Sequence, residues 1–219
     1  MLDINAWMED FQRALAQTFP GRLWFVGLQG SRARGEATAE SDIDVVVVLD
    51  ALAAEDIRRY SAMLDTLPER HLICGFLSGR NELLHWAASD LFQFCHDTRP
   101  YLGSLDDVLA LVSENDVRQA VHLAACNIYH ACVHNIVHEK SPAILAELFK
   151  AACFSVQAIC YLQTGRYVRE HAALVEIAAP EERTILTTRQ ALKHGDSVDF
   201  AEASDALFRW AQAWILAQR

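Results

Sequence analysis

Leu28-Gln29-Gly30-Ser31-Arg32-Ala33-Arg34-Gly35 and, five residues on, Ser41-Asp42-Ile43-Asp44-Val45-Val46-Val47-Val48-Leu49 are the two runs on which the reading of this chain turns. The second ends in an unbroken apolar stretch, Val45 to Leu49, the pattern of a strand buried on both faces. Asp42 and Asp44 lie two apart at its start, so on extended backbone both carboxylates project from one face. Two like charges side by side repel and lose hydration unless a cation sits between them, and Mg2+ is the natural occupant. In the first run, Gly30 has no Cβ and lets the backbone approach a phosphate closely, with the Ser31 hydroxyl beside it as a donor. The turn at residues 32–35 opens a short helix, whose free amide N–H groups favour an anion.

Working outward, apolar spacing predicts a helix over residues 2–18, with Ile4, Trp7, Phe11, Ala14 and Leu15 on one side. Pro20-Gly21 ends it. Residues 23–28 read as a buried strand, 52–67 as a helix closed by Pro68, and 71–77 as a third strand. A short helix is expected over 81–88 and a further strand over 91–95. After Thr98-Arg99-Pro100 the character changes, and long helical patterns run over 115–139, 142–164 and 200–218. Ser141-Pro142 is a helix start and Gly165 a helix stop. Residues 166–197 hold shorter helices and turns. The expected fold class is α+β: an N-terminal α/β domain with a small mixed sheet, residues 1–103, followed by a C-terminal all-α helical bundle, residues 104–219.

The spacing G-S-x-A-R-G, five residues, S-D-I-D resembles the signature of the DNA polymerase beta-like nucleotidyltransferase superfamily. It is most similar to the minimal and the aminoglycoside nucleotidyltransferases. About ten positions match at fixed spacing, followed by the expected strand, which a lone Gly-Ser or a lone Asp-x-Asp would not specify. The resemblance implies that Gly30 and Ser31 hold the triphosphate of ATP or another nucleoside triphosphate. It implies that Asp42 and Asp44 are catalytic and ligate Mg2+ in a two-metal arrangement. Arg34 supports the loop or touches phosphate; both roles stay open. The implied reaction transfers a nucleoside monophosphate, AMP from ATP in the first instance, to a hydroxyl acceptor with loss of pyrophosphate. The acceptor is a small aminoglycoside-like molecule or a side chain of a partner protein. Phe76-Leu77-Ser78, Glu82-Leu83-Leu84 and residues 92–101 extend the likeness more weakly toward the edge strands of aminoglycoside nucleotidyltransferases. In those proteins a helical C-terminal half supplies part of the acceptor pocket. A minimal core joined to helices also occurs in bacterial HEPN-associated pairs. The Arg-to-His spacing of HEPN ribonucleases is met twice, at Arg166 with His171 and at Arg189 with His194, which shows how little that pattern specifies.

The chain departs from the superfamily in one respect. A third carboxylate is common on the next core strand, and residues 71–77 contain neither Asp nor Glu. Glu69 precedes that strand, Glu82 follows it, and Asp90 and Asp97 lie farther on. Three readings compete: a carboxylate from the helical half, with Glu139 as one candidate; Asp97 on an adjacent strand; or nucleotide binding without efficient turnover. The last corresponds to an alternative function, a catalytically weak nucleotide-binding or antitoxin-like regulatory protein.

Bulk composition narrows the partners. With 52% hydrophobic and 22% charged residues, a packed core is expected and wholesale disorder is not. The net charge of −10 argues against duplex DNA or bulk RNA, whose binders live on phosphate contacts. It favours a cationic small molecule or a basic protein face instead. Residues 1–16 are amphipathic and acidic, unlike a secretory leader, and no apolar run reaches the ~18 residues needed to span a bilayer. A cytoplasmic protein with no membrane partner is expected, its six cysteines reduced and mostly buried. Surplus apolar surface on the long helices leaves room for a homodimer. His122, Cys126, His130, His134 and His138 recur every fourth residue of one predicted helix. Three readings stand open for them: a transition-metal site, a cleft lining with His130 or His134 as base, or hydrogen-bonded surface histidines.

Overall fold

The computed structural model describes residues 2–217. Its backbone contacts divide into two units, residues 1–111 and 112–219. The division falls somewhat beyond the expected position because α6 (Asp106–Leu109) packs on α5 (Ala88–Asp97) and stays with the first unit.

The first unit is built on a four-stranded mixed sheet in the order β3-β2-β1-β4. Its strands are β1 (Leu23–Gln29), β2 (Ile43–Leu49), β3 (Ile73–Gly79) and β4 (Arg99–Leu102). β2 runs antiparallel to β1 and parallel to β3, and β4 pairs antiparallel with β1 at the edge. Alternation decides which residues face which layer. Ile43, Val45, Val47 and Leu49 of β2 join Val26 and Leu28 of β1 in one apolar cluster. Trp7, Met8, Phe11 and Leu15 of α1 (Ile4–Thr18) and Met63 and Leu64 of α3 (Ala54–Leu64) cover that cluster. Each such side chain contributes about 1.5–3 kcal/mol when fully buried. The even-numbered positions Asp44, Val46 and Val48 therefore point to the opposite face, where Val46 and Val48 are also buried. That two-sided burial explains the unbroken valine run.

Two sequence expectations change here. Residues 91–95 are not a strand but the middle of α5, with Leu91, Phe92 and Cys95 buried at helical spacing. So short an apolar run fits either period. The strand comes just after, at β4, where Pro100 is tolerated because the strand is an edge. β3 also starts two residues later than expected, since Arg70–Leu72 form a turn of 3-10 helix.

The second unit is helical: α7 (Glu114–His134), α8 (Pro142–Thr164), α9 (His171–Ile177), α10 (Pro180–His194) and α11 (Phe200–Ala217). The expected end of the last helix, Gln218, lies outside the described residues. α7 opens on a reciprocal cap between Ser113 and Asp116. The single helix expected over 115–139 changes at Asn135 into a π turn through Glu139, closed by the Lys140 amide donating to the Asn135 carbonyl at 2.7 Å. The buried Asn135 side chain is the cause. Its Nδ2 donates to the Ser141 carbonyl and its Oδ1 accepts from the Ser141 amide, each at 3.0 Å, pinning the connection to α8. α8 alone among the described helices is long and apolar enough to cross a membrane, contrary to the sequence expectation, and 56% of that window is buried. It packs against α7, α9, α10 and α11, which accounts for its apolarity. Cys95, Cys132, Cys153 and Cys160 are buried, as expected for most of the six, while Cys74 is exposed. Burial pushes the Cys95 thiol up to about 12 and those of Cys132 and Cys160 up to about 11.

Arg22, ahead of β1, ties the start of α3 to the sheet. It donates to Asp56 Oδ1 at 2.7 Å and Oδ2 at 3.1 Å, and the Ala53 amide donates to Oδ2 at 3.0 Å. Arg22 chiefly, then the Ala53 amide, holds the Asp56 carboxyl at about 2, below the ordinary 3.8. A carboxyl depressed on folding adds stability that is complete above its unfolded pKa and is lost as pH falls through the folded one. The melting temperatures of wild type and Asp56→Asn should therefore differ most above pH 3.8 and converge toward about pH 2. A gap independent of pH across that window would show that the charge of Asp56 is not what stabilises.

Candidate active site

The turn between β1 and β2 brings the two sequence runs together. Gln29, the last residue of β1, pairs in register with Asp44 of β2. The chain then enters α2 (Gly30–Arg34), so Gly30 and Ser31 begin one residue beyond the pair. Gly30 has φ +71°, in the left-handed region, and a Cβ built on it would lie 2.0 Å from Asp44 Oδ2. The backbone of the turn therefore rests against the Asp44 carboxylate, at a place where any side chain would collide. Asp44 is half-buried, and Asp42, just before the strand, is exposed. The α2 amides at Gly30 and Ser31 lie in its first turn, where N–H groups have no intrahelical acceptor.

Two arginines hold this arrangement. Arg32, 6% exposed, donates through Nε to the carbonyls of Ser41 and Asp42, both at 3.1 Å, and through Nη2 to Ser41 at 2.6 Å. It fixes the backbone from which Asp42 and Asp44 project. Sequence reasoning passed over Arg32; the only signal was a cation inside a turn of small residues. Arg34 donates through Nη1 to both oxygens of Asp97, at 3.0 and 2.9 Å, and through Nε to Glu36 at 3.2 Å. Burial opposes its charge, and Asp97 and Glu36 more than offset that, raising its pKa above the ordinary value. Of the two roles left open for Arg34, this geometry is that of loop support. Gln29 completes the frame, donating to the Phe94 carbonyl at 3.1 Å and to Thr98 Oγ1 at 2.7 Å.

The third carboxylate does not appear on the sheet. The β3 residue in register with Asp44 is Cys74, and Asp97 lies at the C-terminal end of α5 rather than on a strand, its two oxygens held by Arg34. Asp97 thus pairs with a cation already present, Arg34. Glu82 sits in the first turn of α4 (Arg80–Leu84), beyond the opposite end of the strand pair from Asp44. Among the described residues no group of three His, Cys, Asp or Glu side chains could hold a metal ion. That includes the histidine stripe of α7. His122 Nε2 lies 3.8 Å from Cys126 Sγ, and His134 Nε2 lies 3.4 Å from Glu139. The His134 and His138 rings are 4.8 Å apart.

Two variants probe this frame. Gly30→Ala is expected to displace Asp44 and lower nucleotidyl transfer by about a hundredfold, the usual effect of misplacing a reacting group by about 1 Å. An active, stable Gly30→Ala protein would remove the close approach from the site. Arg34→Met should cost about 3 kcal/mol in denaturant unfolding, because it strands the buried Asp97. A variant of unchanged stability but weakened ATP binding would instead put that guanidinium on phosphate.

Residues 9–82 match the nucleotidyltransferase domain family. No curated protein matches the chain. Among solved structures, spectinomycin adenyltransferase AAD(9) from Enterococcus faecialis, with ATP and spectinomycin, aligns over 98% of this chain and 98% of its own at 13% identity and a TM-score of 0.60. That likeness is one of fold. A nucleotidyltransferase-like protein from Exiguobacterium sibiricum 255-15 is 10% identical over 96% of this chain and 75% of that one, with a TM-score of 0.34, too low to bear on the fold. The domain match covers α2, β2 and both aspartates, the parts that carry the geometry above. Residues 9–82 are thus similar to a nucleotidyltransferase domain, and the chain as a whole shares the fold of the adenyltransferase.

Proposed function

We propose that the enzyme transfers AMP from ATP to a hydroxyl group of a small cationic acceptor, releasing pyrophosphate. The observation that supports this reading is the contact of the Gly30 backbone with the Asp44 carboxylate, which joins the Gly30-Ser31 turn to one of the two acids. The donor set suits Mg2+: carboxylate oxygens are what a hard divalent cation takes. Asp42 and Asp44 would hold it, and when bound it supplies charge neutralisation and polarisation at the transferred phosphate, singly or as a two-metal pair.

The protein's own residues do the rest. The Gly30 and Ser31 amides and the Ser31 hydroxyl bind the triphosphate oxygens. Arg32 keeps Asp42 and Asp44 oriented, and the Arg34–Asp97 pair keeps the turn from shifting as the phosphate charge arrives. The acceptor oxygen bonds to the α-phosphorus as the bond to the β-phosphate oxygen breaks. The acceptor's proton passes to solvent as its oxygen bonds to phosphorus. ATP as donor and a small-molecule acceptor draw support from the solved protein of like fold, which holds ATP and spectinomycin. The net charge of −10 supports a cationic acceptor over nucleic acid.

Incubation with labelled ATP, Mg2+ and a panel of hydroxylated amines, read as pyrophosphate release, tests the reading. Release should depend on the acceptor and vanish in the Asp42→Asn, Asp44→Asn double variant, whose melting temperature should stay near that of wild type. Activity retained in that variant would place the chemistry elsewhere. ATP binding without release for any acceptor would leave a nucleotide-binding regulator, the role the two-carboxylate site otherwise favours.

A further inference from the structure

The helical unit contains a cavity of about 500 Å³ between α10 and α11. Its walls combine features that a packed helix pair does not need. Trp210, 4% exposed, lines it, and the indole Nε1 is buried without a hydrogen-bond partner. Glu182, also 4% exposed, belongs to the lining, and its Oε1 accepts from Trp214 Nε1 at 3.0 Å. Among the described residues the ion pairs of this unit join Arg118 to Glu114, His134 to Glu139 and Lys150 to Glu147, and none reaches Glu182. The two other charged residues of the lining, Glu181 and Arg209, are exposed and offset one another. The remainder is apolar, with Ile185 buried at the base of α10.

Each feature names part of a ligand. A buried carboxylate that makes no ion pair calls for a positive charge. Two indoles beside it favour an organic cation, because their faces are electron-rich. The unmet Trp210 donor calls for an acceptor oxygen on the same molecule. The volume is that of a small-molecule site. We infer that the cavity between α10 and α11 is a binding site for a protonated amine bearing a hydroxyl group and an apolar body. It lies wholly within the helical unit and does not depend on the nucleotidyl-transfer reading, since no residue of the Gly30–Asp44 site takes part.

Calorimetric titration of the full chain with three probes tests this: 2-amino-1-phenylethanol, phenethylamine without its hydroxyl, and 1-phenylethanol without its amine. The first should bind saturably, and the last at least about tenfold more weakly, as befits loss of a charge-assisted contact. Glu182→Gln keeps an oxygen for Trp214 and removes the charge, and should lower affinity for both amines while leaving 1-phenylethanol unchanged. Trp210→Phe should erase the preference for the hydroxylated amine over phenethylamine. The Asp42→Asn, Asp44→Asn variant should bind all three as wild type does. Equal binding of 1-phenylethanol and the amines, unchanged amine affinity in Glu182→Gln with its fold confirmed by circular dichroism, or no saturable binding by wild type would each overturn the inference.

Discussion

The backbone of Gly30 lies against the carboxylate of Asp44 with no space for a side chain between them. The contact arises from strand pairing. Gln29 and Asp44 are opposite one another in the β1–β2 ladder, and the turn follows at once. The same ladder buries Val45 through Leu49 on two faces, so the apolar interior that stabilises the sheet also sets the position of the acid.

Around that contact the charges are arranged so that rigid groups hold rigid groups. Arg32 binds backbone carbonyls, not side chains, and so orients the strand itself. Arg34 and Asp97 are each less than a tenth exposed and bind through two hydrogen bonds, joining α2 to the end of α5. A buried pair of this kind contributes little net stability compared with apolar packing, but it specifies one geometry. The helical unit handles a buried polar group likewise at Asn135, whose two bonds to Ser141 turn α7 toward α8 through a π turn. Glu182 differs, since its carboxylate accepts from an indole and, among the described residues, takes part in no ion pair.

Much of this was legible in the residues. The spacing of Gly30, Ser31, Asp42 and Asp44 specified a turn and a strand that meet, because strand periodicity and glycine's freedom are local properties. The long helices were readable from their caps, Ser141-Pro142 at one end and Gly165 at the other. The strand expected over 91–95 failed because four or five apolar residues satisfy two periods at once, and burial of Leu91, Phe92 and Cys95 at helical spacing selected the helix.

By itself, then, the sequence determined the turn at Gly30, the strand that carries Asp44, the absence of an acid on β3 and the change from mixed strands and helices to helices alone. Only tertiary structure decided the partners of the arginines, the fate of Asp97 and the cavity at Glu182. Arg34 and Asp97 are 63 residues apart, and Trp214 and Glu182 are 32 apart. No local pattern encodes such meetings; they follow from which faces the core buries and where the chain returns.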